Sequence, residues 1–483
     1  MTAARGGRRF FFTCKGAGRS VAPRGDSGET MEALTKIVAD INGVLWGVYG
    51  LIPLLVGAGI YFTLRLNFVQ LRRFGRAVKY TFSGLSLNGE KAGKDGMSSF
   101  QSLATAIAAQ VGTGNLAGAA TAIAMGGPGA IFWMWIAAFF GMATIFVEAV
   151  LAQLYKSKDD KDNVIGGPAY YISQGLGNKP LAAFFAVSII IALGFIGNMV
   201  QANSIAGAFD TAFGVPPLVV GAGVAAFVAF IFLGGMGRIA ACTEKMVPLM
   251  ALLYLLGGFY VVLTNLDQLL PAFKMIFVGA FDPAAATGGV VGAGIKEAMR
   301  YGVARGLFSN EAGMGSTPHA HAVAKVKYPA QQGFVAIMGV FVDTFIVLNM
   351  TAFVIFMTGA LDGQTTGIAL TQKAFSLGLG AHGNTFVAIC LFFFATSTII
   401  GWCFFGEQNV KYLFGSKAVR YYRIVVIHFL VLGSLLQVNL VWELADLFNG
   451  LMVLPNLVAL VALFKVVSVA LKEYDVEVLG KVK

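Results

Sequence analysis

From about residue 41 onward the chain is a succession of long apolar runs separated by short charged or Gly/Pro-rich stretches. A helix needs about 20 apolar residues to cross a hydrocarbon layer about 30 Å thick. Runs such as "WMWIAAFFGMATIFVEAVLAQLY" reach that length and lack the alternation of a barrel strand. The pattern predicts an all-α polytopic membrane protein with eleven spans. One stands alone near 41–64. Five follow near 98–125, 130–155, 181–209, 216–235 and 243–264, and five more near 288–324, 332–359, 385–410, 422–440 and 444–470. Residues 31–483 thus read as one membrane domain, with 98–264 and 288–470 as its two five-helix halves.

Two spans carry polar interruptions, and each is the first of its half. In "AAQVGTGNLAGAATAIAMGG", Gly112, Gly114 and Gly118 each weaken a helix by about 1 kcal/mol relative to Ala. In "GLFSNEAGMGSTPHAHA" the interruption is carried by Gly306, Ser309, Asn310, Gly313 and Gly315. Superposing "GTGNLAG" on "LFSNEAG" matches Asn115 to Gly118 with Asn310 to Gly313. Backbone unwound inside a bilayer is tolerated only where it lines a protein cavity. Discontinuous helices at matching places in two halves point to a substrate site near the midplane. Because five is odd, the second half enters from the opposite face, so the halves form an inverted repeat. A competing reading is a close-packed seam of small residues, with Gly114 and Gly118 four apart; it leaves the Asn, Ser and Glu of the second break unexplained. Half-helix N-termini suit an anion such as a carboxylate, and half-helix C-terminal carbonyls suit a small hard cation. A zwitterionic amino acid travelling with sodium would use both.

Charge settles the orientation. The chain of 483 residues has a formal charge of +11 but only 12% charged residues, and its basic residues sit where a membrane protein keeps them rather than in a nucleic-acid patch. With the loop after the first span on the inside, 23 Lys and Arg fall on inner stretches, against Lys274 and Lys373 in the outside loops. The expectation is a multi-pass protein of a bacterial-type plasma membrane, N-terminus outside and C-terminus cytoplasmic. Residues 1–30 run against this, with six basic residues on the outer side. They are expected to be a basic extension, disordered or untranslated, with synthesis starting at Met31. Four cysteines far apart give neither a disulfide framework nor a zinc site. No nucleophile–base or metal cluster marks an enzyme, and no continuous polar stripe marks a channel.

"GGPGAIFWMWIAAFFG" from Gly126 to Gly141, together with "GTGNLAG", "GNMVQANS", "RGLFSNEAGMGS" and "GWCFFGEQ", resembles the alanine or glycine:cation symporters, the sodium:alanine symporter family. The resemblance runs from about Glu32 to the C-terminus. It implies a leucine-transporter-like fold of one extra helix plus a 5+5 inverted repeat with two discontinuous helices. It also implies sodium-coupled uptake of alanine and/or glycine, with no cofactor beyond the coupling ion. Carried over by position, Gln110, Gly112, Thr113 and Gly114 meet the amino acid, the glycine amides holding its carboxylate. Gln201 is a further polar contact, Phe308 and Ser309 close over the side chain and ammonium, and Trp402 is the wall that limits side-chain size. Sodium is implied at the carbonyls of Ala108 and Val111 with the hydroxyls of Ser397 and Thr398, hard oxygens for a hard cation. Gln110 is larger than the residue the family commonly places there. The residues themselves also allow plainer roles: Trp402 and Phe308 as packing or lipid-facing aromatics, Ser397 and Thr398 bonded back to the preceding turn.

Ionisable residues inside spans are expensive and so need a reason. Asp343 is the best candidate for a coupling proton or second cation, against a structural role bonded to Thr or backbone; a proton-coupled symporter using Asp343 or Glu148 is the alternative function. Glu148 and Glu407 are expected near the cytoplasmic ends of their helices, within reach of water. Arg305 and Glu311 are expected to pair across the second break, Lys296, Glu297 and Arg300 to form a surface network, and His319 and His321 to face the cytoplasmic vestibule.

Overall fold

The computed structural model describes residues 26–47, 49–82, 96–282, 294–436 and 438–480. Residues 1–25 of the basic extension and the start of the seventh span, 288–293, lie outside the described residues. Helix α1 (Asp26–Leu45) begins ahead of Met31 and is followed by α2 (Leu51–Arg65), the single-turn α3 (Val69–Arg72) and α4 (Phe74–Phe82). The expected first span, 41–64, is therefore split between two helices. Pro53 lies in the first turn of α2, a position open to proline, whereas a helix running through it would lose a hydrogen bond and meet the proline ring. Trp46 and Asn42 then tie the end of α1 to the distant carbonyls of Asp446 and Glu443, at 3.1 and 2.8 Å.

The first interrupted helix starts as α5 (Ser99–Gln110), held by a capping box between Ser98 and Gln101. It opens at Val111 and Gly112 and resumes through a π-helical turn, Gly114–Gly118, into α6 (Ala119–Gly126). Helices α7 (Ala130–Leu154), α8 (Pro168–Gly175), α9 (Lys179–Ile189), α10 (Asn198–Phe213), α11 (Pro217–Leu233), α12 (Gly235–Thr264) and α13 (Leu269–Gly279) follow. A π-helical stretch, Ile190–Gly197, joins α9 and α10 into one long helix. The second interrupted helix is α14 (Ile295–Asn310), an irregular segment, and α15 (Pro318–Ala322). Then come α16 (Pro329–Val340) and α17 (Asn349–Met357), joined by the π stretch Phe341–Leu348, and α18 (Gly367–Leu379), α19 (Gly383–Phe414), α20 (Val419–Leu435), α21 (Val438–Ala462) and α22 (Phe464–Leu479). The expected span 444–470 is thus placed earlier, at 438–462, with a separate helix after it.

Among the described residues seven helices are long and apolar enough to cross a membrane, and α2 and α11 are shorter apolar helices. The outer faces of α12 and α20 leave Leu249, Leu252, Leu256, Leu263, Tyr421 and Leu432 exposed. Such a continuous apolar exterior is compatible with lipid rather than water. Inside it, α7 packs most extensively against α16, α14 and α2, while α10 packs against α19 and α20. The interruptions of both helices are buried inside this bundle, residues 101–120 and 302–324 being buried throughout.

Candidate functional site

The two breaks differ in form. The first is short, two residues of extended and turn backbone that leave the carbonyls at the end of α5 without helical partners and restart a helix at Thr113. The second is longer and begins later than its glycines imply. Phe308, Ser309 and Asn310 remain in the last turn of α14; the chain leaves the helix at Glu311, whose φ of 58° is left-handed. Gly313 and Gly315 hold φ of 91° and 81°, which only glycine adopts readily. Turns therefore occupy Glu311 to Thr317 before α15 starts.

The breaks touch. A Cβ on Gly114 would lie 2.9 Å from the Cα of Ser309, so the close approach requires glycine. Gln110 donates its Nε2–H to the carbonyl of Asn310 at 2.7 Å, binding the end of α5 to the end of α14. Asp343 bridges them from the π stretch after α16: it accepts from Asn115 Nδ2 at 2.7 Å, from Ser309 Oγ at 2.9 Å and from Thr344 Oγ1 at 2.9 Å. The structural role for Asp343, bonded to Thr, is thus present, with Asn115 and Ser309 added.

At the first break, the N–H of Gly112 donates to Asn115 Oδ1 at 2.9 Å and that of Thr113 to Gln201 Oε1 at 3.2 Å. Two backbone amides at a helix start are already presented to oxygen acceptors. Three buried polar atoms of the same group have no partner among the described residues: Gln110 Oε1, Thr113 Oγ1 and Gln201 Nε2. Orphaned buried polar atoms are uncommon in folded proteins and call for a reason. Phe308 and Trp402 meet edge to face, ring centroids 5.6 Å apart. All eight residues expected to bind substrate are buried, and the site is closed to solvent in this conformation.

Helix α19 supplies the oxygen cluster on the other side of the first break. Thr398 Oγ1 lies 3.0 Å from the carbonyl of Ala108, 3.4 Å from that of Val111 and 3.1 Å from that of Phe394. One hydroxyl thus gathers three carbonyl oxygens, and the Phe394 carbonyl is a member that side-chain reading passes over. Ser397 reaches the cluster at one point only; its hydroxyl donates to Phe394 O at 2.8 Å and to Met250 Sδ at 3.4 Å, and it makes no bond to the carbonyls of Ala108 or Val111 among the described residues. Both hydroxyls do bond back to their own helix, as their residue types allow.

Several expected pairings are replaced by others. Arg305 bonds Asp446 at 2.6 Å and stacks over Trp442, leaving Glu311 alone. Glu311 instead accepts from Trp402 Nε1 and from Ser316 Oγ, each at 2.5 Å. Glu148 is wholly buried rather than near water. Its carboxylate accepts from the amides of Gly313 and Gly315 at 3.1 and 2.9 Å and from Asn456 Nδ2 at 2.6 Å. Glu407 is held by Arg423 in a two-point ion pair. His319 and His321 are buried, bonded to Asn409 and Gln332 respectively, and face no vestibule. Glu297 caps the first turn of α14 at Gly294 N instead of joining a surface network with Lys296 and Arg300. Burial explains the contacts of Glu148, Glu311, Glu407 and the two histidines: once helices distant in sequence are packed, each buried polar group is held by the nearest partners.

Comparisons with known proteins agree with this architecture. The model of the sodium:alanine symporter family matches residues 31–481. The sodium/alanine symporter AgcS of Methanococcus maripaludis is 42% identical over 448 residues, 91% of this chain and 97% of that protein. The amino-acid carrier protein AlsT of Bacillus subtilis is 44% identical over 423 residues, 87% of this chain and 88% of its own. Among solved structures, MhsT in complex with L-phenylalanine superposes with a TM-score of 0.54 at 13% identity, covering 79% of this chain and 99% of that one. The likeness to MhsT concerns the fold alone. Matched along nearly its whole length, this membrane-spanning chain belongs to the sodium:alanine symporter family and is a transporter, not an enzyme.

Proposed function

We propose that the protein is a sodium-coupled symporter that brings a small neutral amino acid, alanine and/or glycine, into the cell by alternating access. In this reading there are eleven spans, one extra helix and two inverted five-helix repeats, with the N-terminus outside and the C-terminus in the cytoplasm of a bacterial-type cell. The observation that carries it is the pairing of two opposite chemistries at one break. Carbonyls of Ala108, Val111 and Phe394 converge with Thr398 Oγ1 on one side, and the amides of Gly112 and Thr113 face acceptors on the other.

Sodium binds among the carbonyls and the Thr398 hydroxyl, its charge favoured by the C-terminal end of α5. The substrate carboxylate takes the acceptor position now held by Gln201 Oε1, and Gln201 turns so that Nε2 and Thr113 Oγ1 donate to it. Gln110, Gly114 and Ser309 border the ammonium side, and Phe308 with Trp402 closes over the side chain. Ser397 supports the sodium site from the same turn of α19. Because ion and carboxylate occupy the two sides of one two-residue break, binding either stabilises the geometry the other needs, which couples their movement.

Relatives of near-equal identity carry different names: 42% for the alanine symporter AgcS, 43% for "Probable sodium/glutamine symporter GlnT" of Bacillus subtilis. Overall identity therefore does not choose the substrate. Trp402 pressed against Phe308 and Gly197 supports a small side chain. Labelled alanine, glycine and glutamine uptake into proteoliposomes, with sodium or choline outside, tests the reading. Sodium-dependent uptake of alanine or glycine is expected, and uptake indifferent to sodium would overturn it. A proton-coupled mechanism draws support from one observation, a buried Asp343 that bonds both breaks and forms no ion pair among the described residues.

A further inference from the structure

Helices α2, α3 and α22 enclose a cleft of about 530 Å³ that shares no lining residue with the candidate transport site. Arg65, Arg72, Arg73 and Lys472 line it against a single carboxylate, Asp475. Arg73 bonds that carboxylate at 2.7 Å, which leaves three cationic groups without a counter-charge in the cleft among the described residues; Arg72 makes a long contact, 3.4 Å, to the carbonyl of Leu66, and Arg65 lies over the rings of Tyr61 and Phe464. Arg73 is only 7% exposed, and its buried Nε–H has no acceptor among the described residues. A planar guanidinium with a free N–H donor matches a phosphate oxygen better than any neutral acceptor.

The surroundings are apolar. Leu64, Phe68 and Leu71 are exposed beside the arginines, and Val469 and Val476 flank Lys472 on the same exposed face of α22. The cleft opens where α2 ends, so basic groups and exposed apolar side chains meet at the level expected for lipid headgroups. A free anion satisfies the charges but has no use for the apolar rim. A lipid matches both.

We propose that this cleft binds the headgroup phosphate of an anionic phospholipid, with its acyl chains lying along Leu64, Phe68 and Leu71. On the orientation read from the basic residues it faces the cytoplasmic leaflet, where basic pockets between helices hold such headgroups. Native mass spectrometry of the full-length protein with added phosphatidylglycerol or phosphatidylcholine tests this. The wild type is expected to retain phosphatidylglycerol in preference to phosphatidylcholine, also in millimolar inorganic phosphate. Arg65→Gln/Arg72→Gln/Lys472→Gln, which keeps the Arg73–Asp475 pair, is expected to lose that preference on the order of tenfold. The control Lys417→Gln/Arg420→Gln is expected to keep it. Equal retention of the two lipids by the wild type, displacement by inorganic phosphate, or an equal loss in the control would each overturn the proposal. The wild-type lipid comparison decides even if the triple variant fails to fold.

Discussion

Trp402 donates its indole N–H to the carboxylate of Glu311 at 2.5 Å, so the ring that closes the candidate cargo site is fixed by the first unwound residue of the second break. Trp402→Ala is expected to let larger side chains compete with labelled alanine, since each added methylene in a pocket is discriminated by about 10- to 200-fold. Glu311→Ala leaves the indole N–H and the Ser316 hydroxyl without partners, at about 1–3 kcal/mol each. It is expected to lower the melting temperature and to relax selectivity in the same direction, whereas Glu311→Gln, which keeps an acceptor oxygen, stays closer to wild type. Unchanged competition by valine and leucine in both Trp402→Ala and Glu311→Ala would count against the wall.

Thr398 and Ser397 are adjacent but unequal. Thr398→Ala removes the hydroxyl that meets three carbonyls and is expected to raise the sodium concentration for half-maximal uptake about tenfold, equivalent to about 1.4 kcal/mol. Thr398→Ser restores the oxygen. Ser397→Ala is expected to have a smaller effect, because its hydroxyl reaches only the Phe394 carbonyl of the cluster and otherwise Met250, whereas Thr398 also meets the carbonyls of Ala108 and Val111. Uptake measured against sodium at constant ionic strength separates them.

Gly114 has no room for a methyl group beside Ser309. Gly114→Ala is expected to cost about 1–3 kcal/mol by overpacking and to abolish uptake in protein that still folds. Near-normal uptake would show that the breaks do not need to stay in contact.

Asp343 distinguishes the coupling ions. With choline in place of sodium, the sodium reading expects no uptake above background in the wild type. Uptake that persists in choline, follows an imposed pH gradient and disappears in Asp343→Asn would establish proton coupling instead. Under sodium coupling, Asp343→Asn is expected to impair uptake by weakening the bonds to Asn115 and Ser309 while leaving the sodium requirement in place.

Glu148 holds the second break from α7. Glu148→Ala leaves the amides of Gly313 and Gly315 and the Asn456 side chain short of an acceptor, a loss of several kcal/mol at about 1–3 kcal/mol for each group. Thermal unfolding in detergent is expected to shift markedly, and Glu148→Gln to retain part of the stability. A melting temperature unchanged in Glu148→Ala would show that this contact carries no stability.

The breaks were legible because glycine and polar residues are costly in a buried helix, so their clustering stands out against apolar spans. Their limits were less legible. Ser309 and Asn310 keep helical geometry because their side chains find partners in Asp343 and Thr344, residues of another helix. The oxygen cluster was readable only in part, since Phe394 contributes through its backbone and no side chain announces it. Glu148 was misplaced because its position along a span indicates depth in the bilayer but not which neighbour covers it. Arg305 was paired with the nearest acid in sequence, when the acid nearest in space, Asp446, is 141 positions away.

Hydropathy and glycine placement by themselves determined a helical membrane protein with two interrupted helices, because the bilayer demands apolar length and satisfied backbone whatever the packing. Only the tertiary structure decided which polar groups meet, from Asp343 between the breaks to Trp402 on Glu311 and Thr398 among three carbonyls. Those contacts depend on directions and distances between helices far apart in the chain, where the partner that satisfies a buried polar group is chosen by packing and not by spacing.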